Sequence, residues 1–193
     1  MAGAVPLGPR QLNRSVLRAH VDELRWRNEL AAVRSRCSPA VAALLDNPRA
    51  APAWLEGTAF DELNNAIYDL YGREGLRSFL FAVMQSGLIK VIEPLVQFAL
   101  NFLGTGPSAI FRRADMMLSV NTRNIEMDWK PTSDFSGEMT VRFGDKSPPT
   151  AWMAWEGVFG FILHLAGAKG TIAEAVPAGD GLSARIDVRW EPR

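Results

Sequence analysis

The chain has 193 residues, of which 48% are hydrophobic, enough to bury the core of one domain. Its 21 basic and 21 acidic residues cancel, and no long run of one sign stands out, which argues against nucleic acid as a partner. The single cysteine, Cys37, excludes an internal disulfide. The N-terminus lacks the uninterrupted apolar segment of a secretory signal, so we expect a cytoplasmic protein.

The sequence predicts one domain preceded by a flexible segment. Residues 1–10 contain two prolines and two glycines and are expected to be flexible. Residues 11–193 are expected to form a single domain, because no internal repeat or low-complexity segment interrupts them. Within this domain, residues 11–37 are interpreted as a helical extension and residues 38–193 as the core.

The N-terminal half is predicted to be helical. Apolar residues at helical spacing indicate one amphipathic helix from Gln11 to about Arg36, bent near His20. Because His20 has no second histidine close in sequence, it is interpreted as a solvent-facing residue and not as a metal ligand. A later helix is predicted to begin at Thr58 with a capping-box-like start and to end at Gly72.

Residues 75–103 form the longest apolar stretch of the chain. Membrane insertion is not expected, because a spanning helix would place five polar or charged side chains in hydrocarbon: Arg77, Gln85, Lys90, Glu93 and Gln97. The stretch instead predicts one or two interior helices that break near Gly87 or Pro94. These helices are apolar around most of their circumference and therefore need cover on several sides.

The C-terminal half predicts an α+β arrangement of two strand pairs around a buried helix. The fold class is thus α+β, with N-terminal helices and a long apolar helix, followed by a β-β-α-β-β unit with a four-stranded antiparallel sheet. The predicted elements are strands Asn124–Lys130 and Gly137–Phe143, helix Trp152–Gly167, and strands Gly170–Pro177 and Leu182–Trp190. In the last strand, Ile186, Val188 and Trp190 share one face, which we expect to lie on the central helix.

No catalytic motif emerges from the sequence. The patterns GxSxG, HExxH, CxxC, GxGxxG and the P-loop are absent, and two histidines and one cysteine cannot form a conventional zinc site without carboxylates. We therefore predict that the protein is not an enzyme and has no catalytic residues, metal site or cofactor. An enzymatic alternative would have to use His164, Asp128 and Arg142.

The apolar excess on the two long helices predicts a ligand pocket between them. Glycines in the central helix leave room for a bound molecule there. The residues predicted to line this pocket are Phe81, Met84, Leu88, Trp152, Trp155, Phe159 and Leu163. Ordinary core packing is the alternative interpretation of the tryptophans, because tryptophan is a common core residue.

Two functions follow from these features. The first is a non-enzymatic regulatory or sensor-type module that binds a small apolar ligand between helices and sheet and acts as a homodimer. The alternative is a protein–protein interaction or scaffold module without a small-molecule ligand, whose apolar helices bury against a second copy or another protein.

The order of these elements resembles the ligand-binding domain superfamily of nitric-oxide signalling and Golgi transport. That group includes the 4-vinyl reductase-type domains, the TRAPP vesicle-tethering subunits and the haem-NO-binding domains. More narrowly, the run Thr105–Arg113, the spacing of Trp152, Gly157 and Gly160 in the central helix, and the terminal Trp190 are similar to a family of small paralogous proteins of unknown function from myxobacteria. The resemblance covers about Ser38 to Trp190.

This resemblance implies an α+β domain that dimerises through its helices and, in some relatives, holds an apolar or haem ligand between helices and sheet. The chain departs from the haem-binding relatives because Leu76–Leu103 contains no histidine. It also departs from the 4-vinyl reductase type, because Ala173–Val188 contains no cysteine. Haem and metal binding are therefore not expected here.

Overall fold

A computed structural model describes residues 7–88 and 106–192, and within them helices pack on an antiparallel sheet. The helical elements are α1 (Arg14–Trp26), α2 (Leu30–Arg34), α3 (Pro39–Asp46), α4 (Gly57–Val83), a π-helical turn (Met84–Leu88), α5 (Pro107–Phe111), α6 (Ala114–Leu118) and α7 (Pro149–Leu165). The strands are β1 (Gln11–Asn13), β2 (Trp54–Glu56), β3 (Thr122–Arg123), β4 (Ile125–Ser133), β5 (Ser136–Phe143), β6 (Gly170–Ile172), β7 (Val176–Pro177) and β8 (Ser183–Trp190). The predicted α+β class is confirmed.

The main sheet has the strand order β4-β5-β8-β6 and is antiparallel throughout, and the short β7 also pairs with β8 as a fifth strand where four were predicted. The prediction of a single strand Gly170–Pro177 is wrong, because this segment is divided into β6 and β7. Strand β8 alternates strictly: its even-numbered residues from Ala184 to Trp190 are buried, and the residues between them are exposed. The buried face contacts α7, as the alternation predicts. The ring of Trp190 lies 6.2 Å from that of Trp129, so this side chain closes one end of the core.

A second, three-stranded sheet with the order β2-β1-β3 was not predicted. Its strands contain only two or three residues, too few for an alternating pattern to be recognised in the sequence. Leu12 pairs with Leu55 on one side and with Thr122 on the other. This sheet therefore ties the N-terminus to the segments that precede α4 and β4.

The prediction of a single N-terminal helix between Gln11 and Arg36 is wrong. Helix α1 ends at Trp26, and Asn28 takes a left-handed conformation (φ 60°) before α2 begins at Leu30. Helix α1 is also not a peripheral extension, because it buries Val16, Leu17, Val21 and Leu24 in the common core.

Of the predicted flexible segment, residues 1–10, the first six lie outside the described residues. Its last member, Arg10, is only 4% exposed and is ion-paired to Asp61. The paired guanidinium fixes this end of the chain to the domain. Residues 7–10 therefore belong with the folded part.

Helix α4 was predicted to end at Gly72, and there it is interrupted by a φ of 67° and a ψ of −170° before it continues to Val83. Only glycine adopts such a conformation cheaply. The predicted cap at Thr58 is wrong, because Glu56 occupies the N-cap position without a side-chain hydrogen bond. Beyond the π-helical turn, the rest of the apolar stretch lies outside the described residues. Among the helices of residues 7–88 and 106–192, none is long and apolar enough to cross a membrane.

The contact between α4 and α7 forms the centre of the core, and Gly157 makes it close. A β-carbon built at Gly157 would lie 2.9 Å from the Leu80 β-carbon and still closer to the Arg77 carbonyl oxygen. Backbone atoms of α4 cannot move away as a flexible side chain can. The missing side chain at Gly157 therefore sets the distance between the two helices.

We expect Gly157→Ala to lower the free energy of unfolding by about 1–3 kcal/mol, the usual cost of overpacking a core. Gly160→Ala is the matched control one turn along α7, because its added β-carbon would meet only the Phe81 ring at 3.7 Å. The free energy of unfolding of that control should equal or exceed that of the parent, since alanine is more favourable than glycine in a helix by about 1 kcal/mol. Denaturant unfolding of the three proteins measures both effects, and equal stability of the two variants would contradict the close contact.

Candidate functional site

A cavity of about 80 Å³ lies between α1, α4 and α7, beside the chain that leads into β4. Both arms of α4, before and after Gly72, contribute to it. Most of the wall is apolar, and the side chains that define it include Val16, Phe60, Leu80, Val83, Ile125 and Val158. An apolar cavity with few polar groups is the usual form of a small-molecule site.

Buried polar side chains line the same cavity. Arg10, His20, Asp61, Asn64 and Asn121 are each less than 9% exposed, and all five belong to its wall. They come from four separate parts of the chain: the segment before β1, α1, α4 and the segment before β3. Buried polar groups are costly unless they find partners, so their pairing decides what the cavity can bind.

Arg10 is held between two carboxylates. Its guanidinium pairs with Asp61 inside the cavity wall and, at 3.3 Å, with Asp145, whose Oδ1 also accepts the Arg10 backbone N–H. The same guanidinium lies 4.6 Å from the centre of the Phe143 ring. Burial raises the pKa of Asp61 above its ordinary value, although the charge of Arg10 acts to lower it.

Three side-chain atoms at the cavity wall are buried without a hydrogen-bond partner: Asp61 Oδ1, Asn64 Oδ1 and Asn121 Nδ2. The other oxygen of Asp61 bonds to Arg10, and the other end of the Asn121 amide accepts the Ser15 hydroxyl at 2.7 Å. Native interiors leave few such atoms unpaired, and each calls for an explanation such as water or a ligand.

His20 completes the polar part of the wall. Its Nδ1 lies 2.8 Å from the Val16 carbonyl oxygen, and its ring lies between those of Phe60 and Phe79 at 5.6 and 5.5 Å. Burial lowers the pKa of His20 to about 4, so the ring is neutral at physiological pH. A carbonyl oxygen only accepts, so Nδ1 carries the proton and Nε2 keeps its lone pair. The expectation of a solvent-facing His20 is wrong, because the side chain faces the core.

The residues predicted to line a pocket are spread over several places. Met84 and Trp155 lie in the cavity wall. Trp152 stacks on Phe143 at 4.3 Å, and Phe159 packs between Trp155 and Phe111, both inside the core. The remaining described members lie near the end of α7, where Phe81 contacts His164 and Leu163 lines a surface groove. The side chain of Leu88 lies outside the described residues.

The sequence analysis did not identify the polar residues of the cavity, although two of them interrupt an apolar stripe of a helix. His20 falls on the apolar stripe formed by Val16, Leu17 and Leu24 in α1, and Asn64 lies four residues after Phe60 on the buried stripe of α4. A polar residue at an apolar position of a helix indicates a buried group. No such pattern in the sequence indicates the pairing of Arg10 with Asp61 and Asp145.

The residues named for an enzymatic alternative do not form a site. Asp128 and Arg142 line a groove on the exposed face of the sheet, where Arg142 pairs with Glu126, whereas His164 lines a different groove. The thiol of Cys37 is half-buried, and burial raises its pKa to about 11, so it is not an activated nucleophile. Within residues 7–88 and 106–192, no cluster of side chains could hold a metal ion.

The buried neutral His20 makes stability depend on pH. The folded-state pKa of His20, about 4, lies below the ordinary 6.5. The contribution of its neutral ring to the free energy of unfolding is therefore complete above pH 6.5 and is lost as the pH falls towards 4. Between pH 7 and 4 we expect the parent to lose about 3 kcal/mol more free energy of unfolding than His20→Gln. Denaturant unfolding across this pH range measures the difference.

His164→Gln is the control for this measurement, because it removes the other histidine of the chain from an exposed position. This control should keep the pH dependence of the parent. If His20→Gln and the parent lost stability in parallel, His20 would not be buried as a neutral ring.

Solved structures show what fold this is, although no family model and no curated protein matches the chain by sequence. An Fe(II) unliganded H-NOX protein from K. algicida matches with a TM-score of 0.67 and 8% identity, over 94% of this chain and 98% of that one. An oxygen-binding H-NOX domain related to soluble guanylate cyclases, solved as its oxygen complex, matches with a TM-score of 0.60 and 11% identity, over 94% and 96%. A structure used to probe haem distortion in the H-NOX family matches with a TM-score of 0.59 and 10% identity, over 94% of this chain and 96% of that one. The chain therefore shares the H-NOX fold over nearly its whole length.

Proposed function

We propose that this protein is a non-enzymatic sensor-type module that binds a small, largely apolar ligand in the cavity between α1, α4 and α7. The observation that carries the proposal is the apolar cavity of about 80 Å³. The fold shared with H-NOX structures, one of them an oxygen-binding domain related to soluble guanylate cyclases, supports a sensing role. A ligand there would contact three helices at once and so favour one arrangement of them.

Haem is the group that this fold implies, and the residues present do not fit it. The cavity of about 80 Å³ is far below the roughly 300–1,000 Å³ of pockets for larger ligands. Arg10, the only cation that residues 7–88 and 106–192 contribute to its wall, already pairs with Asp61 and Asp145, so haem carboxylates would meet no free charge from these residues. In the sequence, residues 89–105 contain no histidine, cysteine or tyrosine that could serve as an axial ligand. His20 and Met84 of the wall are of ligating type, but they border a space too small for the porphyrin. The proposal therefore does not involve haem.

The size of the cavity limits the ligand to a few heavy atoms. An engineered protein cavity of about 150 Å³ holds benzene or xenon, and this cavity has about half that volume at 80 Å³. Aromatic rings of Phe60, Phe143 and Trp155 supply flat apolar surface around it. Short-chain organic molecules are the size class that matches.

Native mass spectrometry of protein purified from its own host, followed by organic extraction, tests the proposal. We expect a bound small molecule in the parent and its loss in Ala154→Leu, which places three more carbon atoms in the cavity. Met153→Leu is the control, because Met153 is a half-buried neighbour on α7 outside the cavity wall. A parent that carries no ligand and binds neither xenon nor a short alcohol would overturn the proposed function.

Self-association, or docking to a protein partner, is a second candidate function that one observation favours. Trp26, the last residue of α1, is 78% exposed, and tryptophan is enriched at protein interfaces. Light scattering at about tens of micromolar should then give twice the chain mass of 21.2 kDa, and Trp26→Ser should give the monomer. Arg25→Ser changes the exposed neighbour as a control. A parent that stays monomeric would remove the support for a homodimer.

We also propose that the chain belongs with the myxobacterial paralogues, which would make it bacterial. What supports this is the sequence similarity in Thr105–Arg113, in the central helix and at Trp190. The cytoplasmic location stays a prediction of the sequence.

A further inference from the structure

We infer that the ligand of this cavity is a small protonated amine, whose N–H groups bond to Asp61, Asn64 and His20 while its short alkyl part lies against the apolar wall. The inference rests on the proposed function and names the chemical class of its ligand. Three independent features point to this class: the unpaired acceptors of the wall, its charge balance and its apolar surroundings.

The first feature is a set of buried acceptors without partners. Asp61 Oδ1 and Asn64 Oδ1 are both unpaired, and their residues are 8% and 6% exposed. They lie three residues apart on α4, which places them side by side on one face of the helix. Both residues line the cavity, so a hydrogen-bond donor that reaches these oxygens from inside it would supply the missing bonds.

His20 adds a third acceptor. Because its Nδ1–H donates to the Val16 carbonyl oxygen, its Nε2 is left as an acceptor, and His20 belongs to the same wall. A primary ammonium has three donors and no acceptor, whereas a hydroxyl has only one donor. Of these two head groups, only the ammonium provides a donor for each of the three acceptors.

The second feature is a shortage of positive charge. One cation, Arg10, pairs with two carboxylates, those of Asp61 and Asp145, and among the described residues the wall holds no other cationic side chain. Burial raises the pKa of Asp61 even though Arg10 is in contact with it, and the charge of Asp145 acts in the same direction as burial. A second cation beside Asp61 would balance the cluster.

The third feature is the remainder of the wall, which is apolar and partly aromatic. Phe60, Phe143 and Trp155 line the cavity together with aliphatic side chains. Such a wall accepts an alkyl chain, and aromatic faces also attract an ammonium. With a volume of about 80 Å³, propylammonium is a probe of suitable size.

A neutral amide is the competing ligand class. It would satisfy the unpaired Asn121 Nδ2, which an ammonium leaves without a partner, together with two of the acceptors. It would not supply the missing positive charge. Acetamide therefore belongs in the test beside propylammonium.

Calorimetric titration of the parent with propylammonium, n-propanol, acetamide, propionate and xenon tests the inference. We expect propylammonium to bind at least about tenfold more tightly than n-propanol or acetamide, the usual advantage of a charge-assisted hydrogen bond, and propionate not to bind. Asp61→Asn should remove this preference, so that propylammonium no longer binds more tightly than n-propanol. Asp69→Asn, an equal charge change at an exposed position of α4, should behave as the parent.

Asn64→Leu is a second variant of similar volume that removes an acceptor without changing charge, and it covers the case in which Asp61→Asn does not fold. It should weaken propylammonium binding at least about threefold. If xenon or n-propanol bound and propylammonium bound no more tightly, the inference of an amine ligand would be wrong, while the apolar cavity would remain a ligand site. If no probe bound at all, the proposed function and the inference would both fall.

Discussion

The buried carboxylate of Glu156 joins the elements on which the rest of the structure depends. It is 1% exposed in the middle of α7 and receives the guanidinium groups of Arg73 and Arg77 from α4. The Ala175 backbone N–H donates to it at 2.7 Å, and Arg77 also donates to the Ile172 carbonyl oxygen at 3.1 Å. A buried charge is tolerated only when it is paired and hydrogen-bonded. This carboxylate therefore fixes α4, α7 and the segment after β6 in one arrangement, beside the close contact at Gly157.

That arrangement leaves a cavity beside the α4–α7 contact, where α1 also contributes to the wall. The break at Gly72 lets the two arms of α4 take different directions, and both contribute side chains to the wall. The N-terminal strand β1 and the ion pairs of Arg10 hold the remaining side. The wall is thus built by several elements whose relative positions are set by paired buried charges.

The fold is shared with H-NOX structures, whereas the chemistry of this cavity is its own. A neutral imidazole, a carboxylate and two amides face a space too small for a porphyrin. The unpaired atoms of Asp61, Asn64 and Asn121 lower stability as long as they find no partner, by about 1–3 kcal/mol for each buried group. Proteins keep such costs at functional sites, where a ligand supplies the missing bonds. The proposed binding site would thus lie on a scaffold shared with H-NOX structures.

The sequence alone determined the α+β class, the first strand pair, the buried central helix and the inward face of β8, from Ala184 to Trp190. These features are local, because a period of two residues or a long apolar run is visible in any short window. The burial of His20 and Asn64 was readable in part, since each interrupts an apolar stripe. Only the tertiary structure decided that Arg10 meets Asp61 and Asp145, which lie 51 and 135 residues away. An ion pair between such distant positions leaves no periodic trace, because it exists only after the whole chain has brought the two groups together.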